Sequence, residues 1–390
     1  WPGLPNILAG PGLDASPTSA SAMSARTIII DHGSGFLKAG LSGLNEPDMV
    51  FPSIVSYLPC RENPGPSSAR RRLCLGINSD HPDTFSYPVQ RGRVLNWEAV
   101  EKIWTVVMKK YRREHEDAPV IVTESPLREP ADRQKTLEIM FELLKVPSVL
   151  LADQLEMSLY ASGLLTGVVV DSGHGLTRVQ PFHLGRPVHA GGRTLEFGGQ
   201  DLSAYLFKSL FKDECNEHDL LQMDTVGTVQ RRQCFVPQDF DEAVGLYRRR
   251  RRGGSSHENN TYQLPDGTAV ELTTMQRLAP EMFFSPQRFG LPGPGLPQAV
   301  CDAIDTCDAS MQPTLVSNVM VCGGNTMCVG FTKRLFKELV ADRFSSVQVS
   351  MSVGCNRNFS VWLGASVVAH LSTFGSQWMS RGEYEEHLLA

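Results

Sequence analysis

The sequence predicts an α/β layered fold built from a duplicated unit, and three observations carry that reading. First, the β-branched run Arg26-Thr-Ile-Ile-Ile-Asp31 ends on an aspartate and enters Gly33-Ser34-Gly35. A second run, Gly167-Val-Val-Val-Asp171, ends the same way and enters Ser172-Gly173-His174-Gly175. Each reads as a buried strand running into a tight Asp-x-Gly-x-Gly turn, where glycine permits positive φ. One such turn is ordinary local chemistry, whereas two at corresponding places point to duplication. Second, strand and helix patterns alternate between them, which argues against separate all-α or all-β modules. Third, 390 residues and 43.0 kDa exceed what one hydrophobic core usually organises.

Taken in order, residues 1–25 are rich in Pro, Gly, Ser and Ala and carry one charge, Asp14. Too little apolar surface is available there to offset ordering entropy, so a disordered extension is expected. Helical patterns follow at 97–114, at 131–144 after Pro130, and at 153–164, with a strand over 119–124. Two segments break the alternation. Residues 59–86 hold four prolines and the triplet Arg70-Arg71-Arg72, and residues 247–260 hold five consecutive arginines, 248–252, then Gly-Gly-Ser-Ser. Both read as mobile, solvated excursions from the compact body. A third glycine turn, Gly323-Gly324-Asn325-Thr326-Met327, follows the strand Asn318-Val-Met-Val-Cys322 and leads to an amphipathic helix over 331–339.

Composition narrows the function classes. Apolar residues at 41% and charged residues at 20% describe a globular chain, not a disordered, fibrous or coiled-coil one. Net charge is −5, which offers no global electrostatic case for nucleic acid or an anionic membrane. The longest apolar stretch, 164–170, is far short of the roughly 20 residues a membrane span needs. Nine cysteines have no CxxC spacing and no accompanying zinc-type histidine motif. Residues 1–25 lack the basic start and apolar core of a secretory signal, so reduced thiols in the cytosol or nucleus are expected.

Three glycine turns after three strands suit one polyphosphate, because backbone N–H groups in such turns form anion nests without a lysine-bearing P-loop. Asp31 and Asp171, at matching strand ends, are candidates to hold waters of a bound Mg²⁺, which keeps much of its hydration shell. Lys38, just past the first turn, is placed to reach phosphates as a point charge.

Ile30-Asp-His-Gly-Ser-Gly35 with Lys38-Ala-Gly40, Val50-Phe-Pro-Ser-Ile-Val55 and Asn96-Trp97 resemble actin. So do Ser158-Leu-Tyr-Ala-Ser-Gly163, Asp171-Ser-Gly, Leu264-Pro-Asp-Gly267, Ser360-Val-Trp362 and Leu371-Ser-Thr-Phe374, in register from about residue 26 to about 385. The chain is identified as a member of the actin family, with a divergence similar to the germ-line (testis-type) actin-like group. The resemblance implies a duplicated, ribonuclease-H-like two-domain fold flanking a nucleotide cleft. The first domain would be 26–163 plus 359–390, with a small outer lobe at 53–86. The second would be 164–358, with its lobe at 198–285.

By the same resemblance, ATP or ADP with Mg would be cradled by Gly33, Ser34, Gly35, Lys38, Ser172, Gly173, His174, Gly175, Gly323, Gly324, Asn325, Thr326 and Met327. Asp31 and Asp171 would hold the metal through waters, and Gln154 would position the attacking water. Tyr160, Leu371 and Thr373 would line a partner groove. Departures stand beside these matches. His174 replaces an aspartate of the second turn, Arg178 replaces the histidine near the attacking water, and Gln230-Arg231 replaces the adenine-side lysine–glutamate pair. Asn358 stands for a lysine, and Cys328 for an aromatic.

The expected function is therefore a cytoplasmic, cytoskeletal structural protein with a weakened ATP cleft and no more than residual ATPase. It would act as a monomer or complex subunit through cytoskeletal or actin-binding proteins, actin itself among them, and not by forming conventional filaments. A nucleotide-free structural subunit of a cytoskeletal or nuclear complex is the alternative. A small-molecule kinase shares the superfold, but no sugar-binding insert or substrate base resembles one here.

Overall fold

The computed structural model describes residues 26–59, 71–75, 85–212, 220–252, 261–263, 267, 269–342 and 349–389. The expected extension over 1–25, the stretch 60–70 and the Gly-Gly-Ser-Ser stretch lie outside the described residues.

Two six-stranded sheets carry the molecule. In the first, the order is Met379–Ser380, Ser148–Asp153, Val120–Glu124, Ile28–His32, Phe36–Leu41, Met49–Pro52. In the second, Arg186–Pro187, Thr177–His183, Gly167–Ser172, Val319–Cys322 and Met351–Ser352 follow one another, and Arg193–Leu195 pairs with Thr177–His183. The centres match. Each aspartate-ended strand pairs antiparallel with the strand after its turn and parallel with a neighbour on the other side.

The triplets Ile28-Ile29-Ile30 and Val168-Val169-Val170 are fully buried because helices cover both faces of each sheet. Period-two alternation then divides each triplet between two cores. Ile28 and Ile30 pack with Trp104 and Val107, whereas Ile29 packs with Trp362 and Phe374. Val168 and Val170 pack with Val300 and Phe331, whereas Val169 packs with Leu159 and Phe182. Each of these side chains contributes about 1.5–3 kcal/mol by leaving water.

Helix Trp97–Tyr111 starts at Asn96, whose side chain accepts the Ala99 amide, and buries Val100, Ile103, Trp104, Val107 and Tyr111 along one stripe. Helices Gln154–Ala161 and Ser360–Val368 cross closely at Gly364, where a Cβ would sit 1.7 Å from the Met157 carbonyl oxygen. That contact joins the strand edge bearing Asp153 and Gln154 to the C-terminal helices.

Three expectations change. The helix expected over 131–144 is Pro130–Glu138 followed by a wider π-helical stretch, Ile139–Leu143, which turns Ile139, Met140 and Phe141 into the core. The arginine run is not a loop: it ends helix Phe240–Arg252. Arginine is a good helix former, and Asp241 and Glu242 at the start with arginines at the end complement the helix dipole. Arg71 and Arg72, expected in a mobile excursion, belong to strand Arg71–Leu75, which pairs with Val55–Pro59.

Candidate functional site

The matching hairpins set an aspartate opposite a cation at the same register in both halves: Asp31 opposite Lys38, and Asp171 opposite Arg178. Both pairs close. Lys38 Nζ lies 2.8 Å from Asp31 Oδ2, and Arg178 Nη2 lies 3.3 Å from Asp171 Oδ2. Asp31 is almost fully buried and also accepts hydrogen bonds from Thr123 Oγ1 (2.8 Å) and Gln154 Nε2 (3.3 Å).

Gln154 connects the two pairs. Asp153 caps the helix, accepting the amides of Leu155 and Glu156, so the Gln154 side chain is free for the cleft. Its Nε2 donates to Asp31 and its Oε1 accepts from Arg178 Nη2 at 3.1 Å. Arg178 Nη1 donates to Ser125 Oγ at 3.1 Å. The outcome is one relay, Lys38–Asp31–Gln154–Arg178–Asp171, running from the first half into the second.

The turns themselves lie in contact. A Cβ on Gly35 would meet the His174 side chain at 2.7 Å, and the His174 ring stacks with Tyr87, centroids 6.3 Å apart. Burial pushes the His174 imidazole down to about 4, with the nearby Arg91 charge adding to it against Asp201. Ser34 Oγ accepts the Gly92 amide at 3.1 Å. In the third turn Gly323 has φ +93, and a Cβ there would sit 2.3 Å from the Ser172 oxygen. Asn325 Nδ2 donates to Gly173 O at 2.6 Å and to Ser172 Oγ at 3.2 Å, tying the third turn to the second. Thr326 Oγ1 donates to Gly323 O, and Arg357 donates to Thr326 through Nε and Nη2. Met327 is exposed beside them.

His32, beside Asp31, belongs to the core. Trp104 Nε1–H donates to its Nδ1 at 3.2 Å, which leaves Nε2–H to donate to Ser53 Oγ at 2.9 Å. Burial, reinforced by the Arg128 charge, drives its pKa down to about 3.

Sequence reasoning overlooked Ser125, Thr123 and Arg91. Arg91 comes from the first half, with φ 45, and its Nη1 donates to the carbonyls of Gly175 (3.1 Å) and Glu196. Its fork engages Asp201 at 2.7 and 3.3 Å, and the Gln200 amide, turned with its oxygen inward, accepts from Nε at 3.0 Å. The seven-residue spacing of Asp31 to Lys38 and of Asp171 to Arg178 is a signal that was legible in the hairpin pattern. Arg91 had none, since its partner lies 110 residues away.

Away from the cleft, Tyr160 packs edge-on against Phe374 and donates to Glu156 Oε1 at 2.6 Å. Leu371 and Thr373 are exposed nearby, as is Leu165, which lies beside Tyr160 across Gly185. On the expected adenine side, Gln230 Oε1 accepts from Ser203 Oγ, and Cys328 rests on the Cys234 carbonyl.

The donor set bears on the metal that the resemblance implies. Mg²⁺ favours uncompensated carboxylates and phosphate oxygens. Here both carboxylates are neutralised within the chain, and a guanidinium, which stays protonated, stands between Asp171 and Gln154. The carboxylate set, each member with its own counter-ion, does not suit a divalent cation.

The family model described as Actin matches residues 22–388. Actin-like protein 8 of Homo sapiens is 66% identical over 366 residues, covering 94% of this chain and 100% of that protein. With its paired sheets and Asp-ended hairpins, the chain belongs to the actin family.

Proposed function

We propose that the chain is a divergent actin-like structural protein with a weakened, essentially non-hydrolytic nucleotide cleft, working through protein partners in the cytoplasmic cytoskeleton. The separation of the strands into two sheets supports domain limits at 26–163 plus 359–390 and at 164–358. The observation that carries the reading is Arg178, whose guanidinium engages Asp171 and Gln154 together. Those are the carboxylate and the amide that water attack on a terminal phosphate would require, since such attack rests on positioning and charge stabilisation. Replacing an acceptor by His174 in the second turn removes ~1.5–3 kcal/mol of charge-assisted contact, or roughly ten- to a hundredfold in affinity.

Partners are cytoskeletal or actin-binding proteins, or actin itself, docking around Tyr160, Leu371 and Thr373. Self-assembly is disfavoured by the run Arg70-Arg71-Arg72 in the segment between Cys60 and Cys74, because burying three positive charges without partners costs on the order of several kcal/mol. The test is ATP binding and phosphate release measured beside a conventional actin, with sedimentation in Mg-ATP at physiological salt. Weak binding, negligible turnover and no pellet are expected. Equal affinity, or pelleted helical filaments at micromolar concentration, would overturn the reading.

A nucleotide-free subunit is the second reading, favoured by the contact of His174 with Gly35 and Tyr87 between the turns. Acid release of nucleotide from the purified protein, followed by chromatography, separates the two.

A further inference from the structure

Two arginines cross the cleft in opposite directions. Arg178, from the second half, reaches Gln154 and Ser125 of the first. Arg91, from the first half, reaches Gly175, Glu196, Gln200 and Asp201 of the second. The Arg178 side chain is largely withdrawn from water at 8% exposure, whereas that of Arg91 keeps 34%. Arg91 is presented by the two-residue turn Arg91-Gly92 between Val89–Gln90 and Arg93–Val94, a tight hairpin turn that takes positive φ at both positions. Its fork saturates its N–H donors on four acceptor residues, the bidentate arrangement that makes arginine effective in buried pairs.

We propose that Arg91 and Arg178 form a resident cationic clasp that takes the place of a divalent cation with nucleotide as the link between the two halves. Closure of the cleft, and the stability that comes with it, are then independent of metal. Three features converge on this role. Asp171 already has its counter-ion. Gln154 spends both ends of its amide on the relay. The first and second turns touch directly: a Cβ on Gly35 would meet His174 at 2.7 Å, and one on Gly175 would meet Ser34 Oγ at 2.9 Å. The inference deepens the reading of a weakened cleft and rests on it for the state of Asp171.

The experiment compares the full chain before and after stripping with EDTA and apyrase, by thermal melting and small-angle X-ray scattering. The midpoint should move by less than about 2 °C and the radius of gyration should stay constant. An opening of the molecule on stripping, or a large fall in midpoint, would overturn the clasp. Arg91→Ala and Arg178→Ala should each lower the midpoint by about 3–4 °C. Should either fail to fold, Arg91→Lys and Arg178→Lys keep the charge but lose the fork, and they should lose part of that stability. Arg178→His should gain what the parent lacks, a midpoint that rises with Mg-ATP and falls with EDTA. A parent whose midpoint depends on metal as strongly as Arg178→His would refute the proposal. Titration with Mg-ATP distinguishes the two levels of the argument. Metal-independent closure with tight Mg-ATP binding would overturn the weakened cleft and retain the clasp, whereas metal-dependent closure with weak binding would overturn the clasp alone.

Discussion

The two hairpins repeat one design with different cations, and the difference separates local neutralisation from long-range linkage. In the first, Lys38 neutralises Asp31 within its own half, and the lysine keeps 19% of its side chain exposed. In the second, Arg178 neutralises Asp171 and still has donors for Gln154 and Ser125 across the cleft. A point charge on a flexible stem satisfies one carboxylate, whereas a planar fork serves three groups at once. One substitution at a register-equivalent position thus turns an intra-domain ion pair into a contact between halves.

Breaking the pairs in turn tests this comparison. Lys38→Ala leaves the more deeply buried carboxylate, Asp31, without a cation, and should cost about 3–5 kcal/mol in denaturant unfolding. Arg178→Ala leaves Asp171, which is less buried, and a smaller loss of about 2–3 kcal/mol is expected. The opposite ranking would mean that the linkage across the cleft outweighs the burial of Asp31.

Acid probes the histidine beside each hairpin. His32 and His174 have folded pKa values pushed down to about 3 and about 4, below the ordinary 6.5. Protons therefore bind the unfolded chain first: the stability is complete above pH 6.5 and falls as pH drops toward the folded values. By pH 5 each histidine should have cost roughly 2 kcal/mol. His32→Asn should flatten the unfolding profile between pH 7.5 and pH 5, and an unchanged slope would remove His32 from this account.

Ligand binding sharpens the contrast from the other side. Restoring acceptor and imidazole together, in His174→Asp with Arg178→His, should raise Mg-ATP affinity by about ten- to a hundredfold in calorimetric titration. No gain would place the weakness on the adenine side, at Gln230 and Cys328. The smallest effect belongs to charges outside the cleft. Arg249→Ala, at an exposed position of helix Phe240–Arg252, should change unfolding free energy by less than about 0.5 kcal/mol. A larger loss would show that the arginine run also holds structure.

The arginine run illustrates what periodicity misses. A helix end that is polar on every side has no apolar stripe to read, so 248–252 looked like a loop, although arginine propensity and the acidic start favour a helix. Strand Arg71–Leu75 was hidden similarly by its basic start, because its order comes from pairing with Val55–Pro59. In the cleft, the glycine turns, both aspartates and Lys38 were legible from the strand-and-turn pattern, whereas Gln154 came only from the family resemblance.

By itself, then, the sequence determined the duplicated α/β design, the three glycine turns, the Asp-ended strands and the family. The strands follow from period-two burial, which neighbouring residues decide, and the family from motif resemblance. Of the glycines in the three turns only Gly323 takes the expected positive φ, while Gly35 and Gly175 are required by close contacts across the cleft. Only the tertiary structure decided what the charges do. Arg91 meets Asp201 and Arg178 meets Gln154 because two separately folded sheets set their turns face to face. Ion pairing depends on distance and desolvation, and neither is defined until both halves are in place.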